Sequence, residues 1–213
     1  MRSTNRTLLL IPILGIIVFI ILYIIATFLY PGGSQVDKNS VGFSWVNNYW
    51  CNLLNEKGIN GQDNPAKPVA ITAMFIFCLA LSYFWYLFPK HIPVSRKLQY
   101  IIPLFGILSM IAAFFLLTNL NHDLIIDIAS ILGLIAIGGV FIGLYRNKCY
   151  GLFSLGLINI VLIGLNNYVY YTKGLIVYLP VVQKITFSFF LFWIGCIDYR
   201  MYLGAPKNVH VTI

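Results

Sequence analysis

Two residues of opposite sign, Asp127 and Lys184, fall inside long apolar runs, where a charge near the centre of a bilayer costs roughly 2.5 to 3.5 kcal/mol on insertion scales. Residues placed at that cost usually face a bundle interior, pair with each other, and mark function. Asp127 falls roughly 5 Å below the outer end of its run and Lys184 roughly 14 Å below its own, at 1.5 Å per residue. A lysine stem reaching outward closes about that gap, so the spacing predicts a contact. Asp123, Asp127 and Ser130 follow i, i+4, i+7 and share one helix face; Lys184 and Ser188 share another, and Asn159 and Asn166 are seven apart on a third. His122, with Asn119 and Asn121, stands at the lip. The expectation is a polar, outer-facing pocket with Asp123, Asp127, Asn166, Lys184 and His122 as its ligand-binding residues. An anionic ligand would take its charge from Lys184 and its hydrogen bonds from Asn166. A cation would take Asp123 and Asp127 instead. The plain alternative is that the asparagines and serines are hydrogen-bonding glue between helices, at about 0.6 to 2 kcal/mol each.

Enzyme chemistry finds less support. A zinc hydrolase needs about three histidines converging on one metal, and His91 and His210 fall on the opposite side of the predicted membrane from His122. A serine hydrolase could draw on His122, Asp123, Asp127 and Ser130, yet the chain has no Gly-x-Ser-x-Gly elbow. Phosphate-loop, dinucleotide and haem signatures are absent as well, so no cofactor is predicted. Cys51, Cys78, Cys149 and Cys196 fall in four different segments without a Cys-x-x-Cys pair, the pattern of apolar core residues rather than of a disulfide or metal framework.

The elements that must position these residues follow from composition. The chain has 213 residues, of which 60 % are hydrophobic and 9 % charged; its mean hydropathy is +0.85. Twenty ionisable side chains cannot coat a soluble domain of this size, which averages about a quarter charged. The composition implies an all-α integral membrane protein and excludes disorder, coiled coil and a nucleic-acid-binding domain. The net charge of +8 does not reverse this, because basic residues sit at the ends of apolar runs, where they orient a membrane protein and attract anionic lipid.

Six runs of 20 to 23 residues cover Leu8 to Tyr30, Val69 to Phe88, Leu98 to Leu117, Leu124 to Tyr145, Tyr150 to Tyr171 and Leu175 to Ile197. Each suffices to cross about 30 Å of hydrocarbon, and together they predict a six-helix bundle forming one membrane domain over 1–213. The first run exceeds the usual apolar length of a signal peptide and lacks its cleavage site, so it is read as a retained helix. Four connections are short and imply antiparallel neighbours. The fifth, Pro31 to Pro68, is long. In it Phe43, Val46, Trp50, Leu53 and Leu54 recur at helical spacing, which predicts an amphipathic helix. Nine Lys and Arg fall on the side of the termini and four on the side of this loop. The positive-inside rule then puts both termini in the cytoplasm of an inner-membrane protein and the loop outside. Gly139-x-x-x-Gly143 predicts close helix packing, within the bundle or between the protomers of a homo-oligomer.

The layout also resembles a family. Tyr30-Pro31-Gly32-Gly33-Ser34 ends the first helix, Asn48-Tyr49-Trp50-Cys51-Asn52-Leu53-Leu54 and Asn60-Gly61-Gln62 follow in the loop, and His122-Asp123 opens the fourth of the six runs. This is similar to the uncharacterised bacterial six-helix membrane proteins grouped as domain-of-unknown-function family nine hundred and ninety-eight, and more distantly to the DRAM and Frag group. The resemblance implies the fold and a membrane location and brings no activity. The leading functional expectation is non-enzymatic binding or transport of a small or lipidic ligand, with membrane lipids as partners and no nucleic acid. The alternatives are an intramembrane lipid hydrolase using His122, Asp123 and Asp127, or a structural scaffold.

Overall fold

A computed structural model describes residues 6–115 and 122–204, with the side chains of His122 and Asp123 outside the described set. The described residues are mostly helical, without a strand. Six α-helices follow one another: α1 (Ile11–Leu29), α2 (Lys67–His91), α3 (Leu98–Phe114), α4 (His122–Arg146), α5 (Tyr150–Tyr171) and α6 (Leu179–Gly204). Short 3-10 turns precede α1 and α6, so five helices are long and apolar enough to cross a membrane. The shorter apolar helix is α3, and the expected end of its span, at Leu117, lies outside the described residues.

Helix ends follow from the punctuation of the chain. Pro31 has no N–H to continue α1, and the two glycines after it have positive φ, +134° at Gly32 and +80° at Gly33. Before α2, the Asn64 side chain accepts the N–H of Ala66 at 3.1 Å. Pro180 enters α6 in its first turn, where a missing N–H costs nothing. Two ends differ from expectation. Pro89 is taken into the last turn of α2, and α6 runs past Ile197 to Gly204, because Leu191, Ile194, Ile197 and Met201 form one buried stripe that continues beyond the apolar run.

The predicted amphipathic helix in the long connection does not form. Only Trp50–Leu54 is helical, as a 3-10 turn. Asparagine side chains hold the remaining backbone in turns, competing with the helical ladder. Asn64 Nδ2 donates to the carbonyls of Asn52, Leu53 and Asn55, and the Ile59 N–H donates to Tyr30 Oη at 3.0 Å. Gly33 is required here by proximity as well as by φ, since a Cβ would collide with the backbone of Ile59 and Asn60.

The chain forms two compact units, one from Met1–Ile17, Phe77–Phe153 and Trp193–Ile213, the other from Val18–Ile76 and Ser154–Phe192. In the first, α3 packs on α4. Gly139 sets that contact, since a Cβ there would fall 2.5 Å from Ile102 Cγ1; a Cβ on Gly106 of α3 would enter the Trp85 indole of α2. The Gly139-x-x-x-Gly143 motif thus packs within the chain, Gly143 against Val94 and Phe88. Ser109 Oγ donates to the Ala129 carbonyl at 2.7 Å, and Trp193 Nε1 to that of Leu152 at 2.7 Å. In the second unit, Phe19, Tyr23, Trp50 and Phe187 form one aromatic cluster with ring centroids 4.6 to 6.2 Å apart.

Candidate functional site

Lys184 stands five residues into α6, about 8 Å from its start at 1.5 Å per residue. It is buried, with 9 % of its surface exposed. Its ammonium donates to two main-chain carbonyls, that of Pro180 one turn back at 3.0 Å and that of Asn48 in the long connection. Neither is an anion. The Phe43 ring faces the cation with its centroid 5.6 Å from Nζ. Among the described residues the ion pair present is Lys67 with Glu56, at 3.2 Å, far along the connection from Lys184.

Asn48 is itself fully buried and organises this end of the connection. Its Nδ2 donates to the Gly33 carbonyl at 2.8 Å, and its Oδ1 accepts the Ser44 N–H at 2.8 Å. With the side chain so occupied, its own carbonyl is turned to Lys184. The Trp50 N–H adds a second tie to α6 through Gln183 Oε1 at 3.4 Å. Burial pushes the neighbouring Cys51 thiol up, opposed by backbone N–H groups and by the Lys184 charge, so Cys51 is a neutral thiol at physiological pH.

Beside Lys184 runs an open groove of about 430 Å³ lined by Trp45, Trp50, Lys184, Ile185, Ser188, Phe189 and Phe192. Ile185, Ser188, Phe189 and Phe192 fall at i, i+3, i+4 and i+7, one face of α6 over about 10 Å. The walls are almost wholly apolar, and Lys184 is the N-terminal member of this α6 face. The Trp50 indole Nε1–H is buried and has no acceptor. An ammonium with three N–H groups, two of them engaged, retains a third. The site therefore combines an apolar trough with one buried cation at its edge.

The other sequence candidates are distributed differently. Asp127 is exposed on α4, as is Ser130, and both belong to the first unit. Lys184 and Asn166 belong to the second. The described partners of the ammonium are the carbonyls of Asn48 and Pro180. His122 and Asp123 occupy the first turn of α4, with their side chains outside the described set; Asn119 and Asn121 lie outside it entirely. Asn166 is half-buried with its Oδ1 unpartnered, and Asn159 donates to the Leu155 carbonyl one turn back at 3.1 Å. Two residues escaped the sequence reading. Asn48 carried no signal beyond its asparagine-rich surroundings. Asp198 did: it falls on the buried stripe of α6, is fully buried, and neither carboxylate oxygen has a hydrogen-bond partner.

No family model matches the sequence, and neither a curated protein nor a solved structure is found to be similar to it.

Proposed function

We propose that this chain is a multi-pass inner-membrane protein, with both termini in the cytoplasm and the 31–66 connection outside, that binds a lipidic ligand non-enzymatically in the groove headed by Lys184. The single observation that carries the reading is the groove itself, an apolar trough along α6 that ends at a buried ammonium without a carboxylate partner among the described residues. An acyl chain suits the Phe189 and Phe192 end, and a polar head suits the Lys184 end.

The setting supports a bilayer. Large apolar side chains such as Leu14, Ile21, Ile131, Val161 and Phe192 are more than half exposed, which water would penalise and lipid would not. Exposed tyrosines cluster near helix ends, with Tyr100, Tyr145, Tyr150 and Tyr199 on the expected inner side and Tyr168, Tyr171 and Tyr178 on the outer, as interfacial aromatic belts do. Lys90 lies over the Tyr86 ring, with Nζ 3.4 Å from its centroid, an arrangement suited to the same interface.

The test is native mass spectrometry of the detergent-purified protein. Wild type should retain a lipid through mild delipidation, and Ser188→Trp, which fills the groove from an exposed position, should lose it. Equal retention by both proteins would place the lipid elsewhere and overturn the reading.

A further inference from the structure

We infer that the groove selects an anionic phospholipid head group, a refinement that rests on the lipid-binding reading above. Two donors line the trough on one face of α6: the remaining N–H of Lys184 and, one turn on, the hydroxyl of the exposed Ser188. Acceptors are scarce there, since the carbonyls of Asn48 and Pro180 are already engaged by the ammonium. A site rich in donors and carrying one positive charge complements a group rich in acceptors and carrying a negative one. A lipid phosphodiester meets both requirements.

Charge discriminates among head groups. A zwitterionic choline or ethanolamine lipid brings its own cation toward Lys184, in a setting where apolar walls weaken screening. An anionic glycerol lipid brings the same phosphodiester without that cation.

The experiment titrates the delipidated protein with dioleoyl-phosphatidylglycerol and with dioleoyl-phosphatidylcholine, identical in their acyl chains, and reads occupancy by native mass spectrometry. Wild type should bind the glycerol lipid roughly tenfold or more tightly than the choline lipid, the range of one charge-assisted hydrogen bond. Lys184→Met should abolish the preference while keeping choline-lipid binding, and Lys184→Arg should restore it. Ser188→Ala, which removes only the hydroxyl from an exposed position, should lower glycerol-lipid affinity several-fold and decides the matter if Lys184→Met fails to fold. Equal affinity of wild type for the two lipids would overturn the head-group inference and leave the groove reading intact. Binding of neither lipid would overturn both.

Discussion

Lys184 Nζ donates to the main-chain carbonyl of Asn48, a residue 136 positions earlier in the chain, and that bond, together with the Trp50 N–H to Gln183 Oε1, ties a transmembrane-length helix to the long connection. The bond is possible because the Asn48 side chain satisfies the backbone at Gly33 and Ser44, which leaves its carbonyl facing α6. Asn48→Ala should therefore act on both. Two backbone groups lose their partners, at about 1 to 3 kcal/mol for each that stays buried, and the Lys184 contact loosens with them. The expected result in a thermal or denaturant unfolding series is a loss of about 2 to 4 kcal/mol, with faster proteolysis within residues 31–66. Unchanged stability and protease resistance would show that the connection is held by other contacts.

Asp198 leads to a different expectation. Its two oxygens are buried without a donor, so the native state gains nothing from a negative charge there. Asp198→Asn should fold with unchanged or slightly raised stability. A fall of more than about 1 kcal/mol on the same unfolding assay would reveal a cationic partner for the carboxylate.

Packing of α2 on α3 depends on the absence of a single side chain. A Cβ at position 106 meets the Trp85 indole, which is itself 1 % exposed and has no room to retreat. Gly106→Ala should cost about 1 to 3 kcal/mol, the range for an overpacked core. The companion change Trp85→Leu should recover part of that loss, since the pair is in contact and the two effects are non-additive. Strict additivity in the double mutant would mean that the helices repack without strain.

The orientation is open to labelling. In a cysteine-free background, a membrane-impermeant maleimide should reach Asp63→Cys on intact cells and miss Lys90→Cys, as the nine-to-four distribution of Lys and Arg requires. The reverse pattern would invert the protein.

The helices were legible because an apolar run of more than 20 residues has few alternatives to a helix, and Pro31, Asn64-Pro65 and Pro93 mark where runs must end. Details beyond the runs were not. The hydropathy of α6 drops at Asp198, yet its buried stripe continues to Met201, so a sliding window stops about two turns before the helix does. Apolar spacing in the 43–54 segment suggested a longer helix than the 3-10 turn that forms, because side-chain bonds from Asn48 and Asn64 have no period and leave no trace in a pattern search. The same holds at the candidate site. The depth of Lys184 marked it as a buried cation in need of partners, whereas its attachment to a main-chain carbonyl at Asn48 depends on a connection whose path no spacing rule supplies.

The most direct test of a lipid seated beside Lys184 is an experimental density map of the protein in lipid nanodiscs containing phosphatidylglycerol. The account predicts an elongated density along Ile185, Phe189 and Phe192, with its head within hydrogen-bonding distance of Lys184 Nζ. A groove free of density, at a resolution where lipids are resolved on other faces of the same molecule, would contradict it.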